Sequence, residues 1–165
     1  MAALMKLYKI CSKGRVAIIM QKRPINEMRL EFLSKSSNES FARVVAAAFV
    51  SQLDPTLEEL ADVKTAVSEA VTNAIIHGYE DMSGYVRMEC KLYDDSVEIA
   101  VIDEGKGIED IELARRPLYT SKPEMERSGM GFTVMESFMD RVDVFSAPGK
   151  GTTVVMYKTF KSVSR

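Results

Sequence analysis

An acid and an amide on one predicted helix are the residues of this chain best placed to do chemistry. Glu69 and Asn73 are four residues apart, so their side chains are neighbours one helical turn from each other. An apolar stripe on the opposite side predicts which face of the helix packs on a core: Leu60, Val63, Val67, Val71, Ala74 and Ile75. The pair alone would be typical of a solvated surface, but the small and apolar residues around it favour the floor of a pocket.

Two glycine-marked turns follow this helix and complete the pattern of a nucleotide site. Asp103 ends an alternating run over 97–103 that predicts a strand, and Gly105 and Gly107 are expected to allow positive φ and the close approach of a ligand. An ordinary strand-to-loop turn is the alternative for this segment. Gly129-Met130-Gly131 opens a helical pattern over 132–139, and the unpaired amides of a helix N-terminus favour phosphate oxygens. The glycine spacings fit neither a P-loop nor a dinucleotide fingerprint.

Alternating strands and helices are expected to position these residues. An alternating pattern predicts a strand over 29–34, and a capping box at 36–39 predicts the start of a first helix. The helix of Glu69 is expected to begin at Asp54-Pro55 and to end with Gly78 in the left-handed conformation. Two hairpins are predicted, over 85–92 with 96–102 and over 141–146 with 152–160. The predicted fold class is α/β (α+β), a two-layer sandwich of a mixed, mainly antiparallel sheet with helices on one face.

Composition excludes several classes of protein. The chain has 165 residues, of which 46% are hydrophobic, enough for one domain with its own core. A net charge of -2 argues against direct nucleic-acid binding, and no apolar stretch approaches the ~20 residues that span a membrane. Cys11, Cys90 and the single His77 do not have the spacing of a zinc site. These features predict a cytoplasmic protein in a reducing compartment.

The N-terminal residues differ in composition from the rest of the chain. Residues 1–26 carry six basic residues and no acidic one. Their apolar run over 16–20 is too short for the core of a signal peptide. We expect residues 1–27 to be an extension outside the domain, which would then occupy residues 28–165. A basic tail that contacts a partner is the alternative.

The ordered motifs resemble a known superfamily. Glu-x-x-x-Asn from Glu69, Asp-x-Gly-x-Gly from Asp103, Gly-x-Gly from Gly129 and a late Gly-Thr ending at Thr152 are similar to the N, G1, G2 and G3 boxes of the GHKL ATPases, which include gyrase and histidine kinases. Longer segments resemble the anti-sigma F factor family of spore-forming Gram-positive bacteria: 37–43, 68–79 and 126–133. The resemblance covers residues 28–160 and implies the GHKL (Bergerat) ATP-binding fold.

The resemblance also implies roles for individual residues. Asn73 would supply an oxygen ligand to Mg²⁺, and Glu69 would accept the proton of an incoming serine hydroxyl. Asp103 would receive the adenine amino group of ATP or ADP, with help from Thr152. The glycines and their neighbour would allow contacts with the lid and the phosphates: Gly105, Gly107, Gly129, Met130 and Gly131. Residues 109–128 would form the lid over ATP, and Arg127 would place its guanidinium on the γ-phosphate.

Partners follow from the same resemblance. The family implies an anti-sigma factor that inhibits a sporulation sigma factor of the sigma F type. It also implies a serine kinase that phosphorylates the anti-anti-sigma antagonist, and it suggests a homodimer. Glu39 and Arg43 lie four apart on the first helix, where the usual interpretation is a weak surface ion pair. The local match to the family raises a partner-contact role to equal standing.

Three other functions compete with this interpretation. A stress-response anti-sigma kinase of the sigma B type would share the motifs and the chemistry, so only its partners would differ. An ATP-gated sigma-binding module without kinase activity would use the same pocket. A histidine autokinase is disfavoured because the single histidine, His77, ends the helix of Asn73 and does not lie on a separate dimerisation helix.

Overall fold

Two hairpins and an edge strand build the main sheet of this protein. A computed structural model describes residues 7–12, 15–20, 23–80, 82–116 and 130–161. The seven strands are β1 (Leu7–Ser12), β2 (Arg15–Met20), β3 (Asn26–Leu33), β4 (Tyr85–Leu92), β5 (Ser96–Asp103), β6 (Arg141–Ser146) and β7 (Thr152–Thr159). The α-helices are α1 (Ser37–Val50), α2 (Leu57–Asn73), α3 (Ile111–Ala114) and α4 (Gly131–Phe138). A 3₁₀ turn covers Ser51–Leu53, and a π-helical segment covers Ala74–Tyr79.

The five-stranded sheet has the order β3-β4-β5-β7-β6. Each of its pairings is antiparallel, so no parallel pair occurs among the described strands. Alternate residues of each strand face the helices, and Met88, Ile99 and Met156 on this face are fully buried. The residues between them stay partly exposed on the opposite face. The predicted two-layer fold and both predicted hairpins are therefore confirmed, but the described sheet is wholly antiparallel and not mixed.

Helix α2 packs the predicted stripe on the core but begins later than its sequence pattern indicated. Val63, Val67 and Val71 are fully buried. The N-cap is Thr56, whose Oγ1 accepts from the Glu59 amide at 3.2 Å, while a Glu59 carboxylate oxygen accepts from the Thr56 amide at 2.9 Å. This reciprocal capping box fixes the start of the helix at Leu57. The predicted start at Asp54-Pro55 was wrong.

The capping box predicted for α1 does not form. Ser36 occupies the N-cap position, but its side chain makes no capping hydrogen bond. The Glu39 carboxylate does not return to the N-cap; it accepts a hydrogen bond from Ser68 on α2. The Glu39 side chain therefore makes a tertiary contact instead of the capping contact that the local pattern predicts.

The predicted end of α2 at Gly78 was also wrong. The helix continues past Asn73 as the π-helical segment, and Glu80 is the residue with positive φ, at 53°. Gly78 serves a different purpose, because a Cβ atom there would lie 2.8 Å from the Asp103 carboxyl group. The glycine thus lets the end of β5 approach this helix closely. Short π-helical segments often occur at functional sites.

Strands β1 and β2 pair with each other in a separate two-stranded sheet. Strand β3 begins at Asn26, close to the predicted domain boundary at residue 28, and that boundary stays a prediction. None of the helices in the described ranges combines the length and apolar character needed to cross a membrane.

Candidate functional site

A cavity of about 450 Å³ lies where α2 and the π-helical segment meet the ends of β5 and β7 and the start of α4. This volume is in the usual range for small-molecule sites. Five of the candidate nucleotide-site residues line it, namely Asn73, Asp103, Gly107, Gly131 and Thr152, whereas Glu69 and Gly105 are not among its lining residues. Residues that are far apart in the chain therefore meet around one space, in the way that the order of the motifs suggested.

Glu69 and Asn73 lie directly against the start of α4. A Cβ atom at position 131 would be 3.2 Å from the Asn73 side-chain amide and 3.2 Å from Glu69 Oε2. Both polar side chains are half-buried. Since the first amides of a helix have no partner within it, Gly131 brings N–H groups without an intrahelical partner beside a carboxylate and an amide. Such an arrangement could hold a phosphate group next to a proton acceptor.

Asp103 is a buried carboxyl group at the end of β5, with 5% of its surface exposed. Its Oδ1 accepts hydrogen bonds from the amides of Gly105, at 2.9 Å, and Thr152, at 3.3 Å. Burial raises the pKa of Asp103, and these two backbone hydrogen bonds partly offset the rise. Since both bonds go to Oδ1, the carboxyl group is held in a fixed orientation at the cavity wall.

Only one of the two glycines after Asp103 has the expected conformation. Gly107 has φ of 74°, as predicted, and a side chain there would collide with the Ala147 carbonyl oxygen. Gly105 does not have positive φ; it is buried, and a Cβ atom would collide with the Gly78 carbonyl. The atoms that a Cβ would meet at these two positions are mainly backbone atoms of neighbouring segments, so glycine is needed at both for the close packing of the loop.

The remaining candidate nucleotide residues are only partly described. Met130 is the N-cap of α4 and is half-buried. Gly129 and Arg127 lie outside the described residues, as does most of the predicted lid. Of the lid, residues 109–116 are described and include the short helix α3.

Several cations at the cavity were missed in the sequence. Lys106 lines it and forms an ion pair with Glu80. Arg115 and Arg116 also line it, and Arg115 donates from Nε and Nη2 to one oxygen of Glu136 on α4, at 2.8 and 2.6 Å. The sequence does show a lysine between two turn glycines and an arginine pair inside the predicted lid, and both could have indicated these cations. Their pairing with distant glutamates could not be inferred from local patterns.

The Glu39–Arg43 pair is part of a larger polar cluster between α1 and α2. The guanidinium lies 3.6 Å from the Glu39 carboxylate, and the two side chains are 39% and 22% exposed for Arg43 and Glu39 respectively. Ser68 donates a hydrogen bond to Glu39 and accepts one from Arg43 at 3.4 Å. Ser68, the residue just before Glu69 on α2, therefore orients the Glu39–Arg43 pair.

The side chains around the cavity fit a cation that is coordinated mainly by the phosphate oxygens of a bound ligand. No group of three histidine, cysteine or acidic side chains forms a metal cluster in the described part of the chain. Asn73 offers one amide oxygen beside the start of α4. Mg²⁺ commonly takes one or two protein ligands and completes its octahedron with phosphate oxygens and water.

Comparisons with known proteins agree with this geometry. Residues 34–158 match the family described as histidine kinase-like ATPase domain. The chain is similar to the anti-sigma F factor of Clostridium kluyveri, with 63% identity over 139 residues, 84% of this chain and 98% of that protein. It is 65% identical to the anti-sigma F factor of Clostridium perfringens over 134 residues, 81% of this chain and 96% of that protein.

A solved structure gives the same fold at low sequence identity. The structure of the RsbU and RsbW domains of Rv1364c from Mycobacterium tuberculosis matches with a TM-score of 0.60 and 21% identity, over 83% of this chain and 32% of that chain. At this identity the likeness concerns the fold alone.

Proposed function

We propose that this chain, which belongs to the anti-sigma F factor family, inhibits a sporulation sigma factor and inactivates the antagonist of that inhibition by phosphorylation. The antagonist is an anti-anti-sigma protein, and the acceptor is one of its serine hydroxyls. ATP supplies the phosphoryl group, and the protein acts in the cytoplasm as a homodimer. Residues 1–27 are an extension that this activity does not require.

One observation carries the proposal: Gly131 at the start of α4 lies against both Glu69 and Asn73 at a cavity of nucleotide size. An ATP-gated binding module that inhibits the sigma factor by binding alone would need a nucleotide site. It would not need a carboxylate at the point where the terminal phosphate of the nucleotide would lie. Glu69 in that position favours a kinase over an ATP-gated binding module.

The chemistry requires a proton acceptor and a fixed phosphate. The serine oxygen attacks the γ-phosphorus of ATP, the bond to the bridging oxygen breaks, and ADP leaves with that bond's electrons. Glu69 accepts the proton of the serine hydroxyl. The first amides of α4, which have no partner within the helix, orient the phosphate oxygens, and the γ-phosphate is assigned to Arg127, which lies outside the described residues. Mg²⁺, when bound, neutralises charge on the phosphates, and the Asn73 amide oxygen is the protein ligand available to it.

Asp103 would determine which nucleotide base the protein prefers. Its Oδ1 is taken by two backbone amides, so Oδ2 can accept the exocyclic amino group of adenine, with Thr152 beside it. Guanine carries a carbonyl oxygen at the corresponding position, which would meet the carboxylate unfavourably. The protein should therefore prefer ATP to GTP.

Replacing Asp103 by asparagine should weaken this preference. The variant keeps an oxygen for the two backbone amides but can present an N–H to the base, so we expect the ATP:GTP affinity ratio to fall about tenfold or more, as for a lost hydrogen bond to a charged group. Isothermal titration with both nucleotides measures the ratio. Thr153→Ser, on the opposite face of β7 from the cavity, is the control. An unchanged ratio in Asp103→Asn would remove this residue from base recognition.

The function is tested by transfer of labelled γ-phosphate from Mg-ATP to a purified anti-anti-sigma protein. We expect a phosphoserine on that protein, and we expect loss of both transfer and ATP binding in Asn73→Ala. Capture of the sigma factor, measured in the same preparation with and without ATP, tests the second half of the proposal. Tight ATP binding and sigma capture without transfer would identify an ATP-gated binding module. Transfer to a stress-response antagonist with no capture of the sporulation sigma factor would identify the sigma B type.

A further inference from the structure

A buried lysine ties the far end of α4 to the helix that carries Glu69. Lys158 on β7 is 9% exposed. Its Nζ donates to the carbonyl oxygen of Phe138, the last residue of α4, at 2.7 Å, and to Asp62 Oδ2 on α2 at 3.0 Å. A cation at a helix C-terminus is favoured by the unpaired carbonyls and the helix dipole. One ammonium group therefore joins β7, α4 and α2.

The positions of these contacts hold α4 along α2 at both ends. From Gly131 to Phe138 there are seven residue steps, and from Asp62 to Glu69 there are also seven, so each pair of contacts is separated by about 10 Å at 1.5 Å per residue. Gly131 meets Glu69, while Phe138 meets Asp62 through Lys158. The two helices thus run antiparallel, with matched spacing between the contacts.

The two ends of α4 differ in how firmly they are fixed. At the Phe138 end, the ammonium supplies a charge-assisted hydrogen bond and an ion pair in a buried setting. At the Gly131 end, a glycine without a side chain meets the Glu69 and Asn73 side chains. An axial shift at the Phe138 end would move the first amides of α4 away from Glu69 and Asn73. Displacements of about 1 Å are enough to weaken a reacting geometry strongly.

We propose that Lys158 is a positioning residue for the phosphate subsite, setting the axial position of α4 so that its N-terminal amides meet the nucleotide phosphates beside Glu69. The inference rests on the proposed function, since it assigns the phosphates to the start of α4. Lys158 itself lies at the other end of that helix and does not line the cavity.

The test compares ligands with and without phosphates. The double variant Asp62→Asn with Lys158→Met removes both charges together, so that no unpaired buried charge remains. We expect its affinity for Mg-ATP to fall about tenfold, and its affinity for adenosine to stay unchanged, because only the phosphates depend on the start of α4. Lys158→Gln removes the ammonium charge but keeps amide N–H donors for Phe138 and Asp62, so it should give a smaller loss that is again confined to ATP. Titration calorimetry for ATP and competition for adenosine provide the two affinities.

A matched control separates positioning from general stability. Thr56→Ala removes the N-cap of α2 and should lower the melting temperature, but Thr56 has no described contact with α4, so the ATP:adenosine ratio should keep its wild-type value. If the double variant and Lys158→Gln both keep the wild-type ratio, or lose affinity for both ligands equally, the inference is overturned. A wild-type protein that binds adenosine as tightly as ATP would instead overturn the phosphate assignment of the proposed function, and the inference with it.

Discussion

Replacement of Glu69 by glutamine is expected to slow phosphoryl transfer by about 10²–10⁴-fold, the usual contribution of a general base, while nucleotide affinity is kept. Glutamine has the same shape as glutamate, so it does not crowd the start of α4, where Glu69 Oε2 lies 3.2 Å from the position of a Cβ on residue 131. It cannot take the serine proton. Single-turnover transfer of labelled phosphate and equilibrium binding of ATP measure the two quantities separately.

The matched control for this variant is Glu58→Gln, on an exposed position of the same helix. It makes the same chemical change away from the cavity, so both transfer and binding should match the wild type. Transfer at the wild-type rate in Glu69→Gln would show that another group takes the proton. A loss of ATP binding in that variant would assign Glu69 to binding instead of catalysis.

The elements that position Glu69 could be predicted because they depend on hydrophobic periodicity. The stripe of α2 and the alternating residues of β4, β5, β6 and β7 each repeat with a period that only one kind of element satisfies. Two short turns, at 93–95 and 147–151, then fix each hairpin. The order of the glycine motifs added the expectation that Asn73, Asp103 and Gly131 would meet, and they line one cavity.

The local details that failed were those decided by tertiary contacts. Ser36 and Glu39 have the spacing of a capping box, but Ser68 on α2 offers Glu39 a partner that the local pattern cannot reveal. Gly78 has the residue type of a left-handed helix end, yet the Asp103 carboxyl group, which a Cβ atom at that position would approach to 2.8 Å, explains the glycine better. Residue type alone does not distinguish a glycine needed for its φ from one needed for close packing.

Long-range pairs of charged groups were beyond sequence reasoning for the same reason. Arg115 with Glu136, and Lys158 with Asp62, join residues separated by 21 and 96 positions. Nothing in either local segment indicates which opposite charge lies nearby. Both pairs depend on the tertiary fold, which places β7 and α4 beside α2.

Exchange of the charges at Glu39 and Arg43 is the second change with a large expected effect. The double variant Glu39→Arg with Arg43→Glu keeps an ion pair four residues apart, and Ser68 can still donate to the new carboxylate and accept from the new guanidinium. We therefore expect the melting temperature to change little, because a partly exposed pair of this kind contributes about 0.2–1 kcal/mol. ATP affinity should also stay unchanged, because neither residue lines the cavity.

Binding of both partners should be lost in this exchange variant. Complementary charges across an interface become like charges when one side is reversed, and such juxtapositions cost several kcal/mol, which corresponds to more than a hundredfold in affinity. Surface plasmon resonance with the sigma factor and with the anti-anti-sigma protein measures the loss. Glu58→Lys with Lys64→Glu, another charge-neutral exchange at exposed positions of a helix, is the control and should bind both partners normally. Since Ser68 precedes Glu69, retained sigma binding together with slower phosphoryl transfer would mean that this cluster orients the base and does not dock the partners.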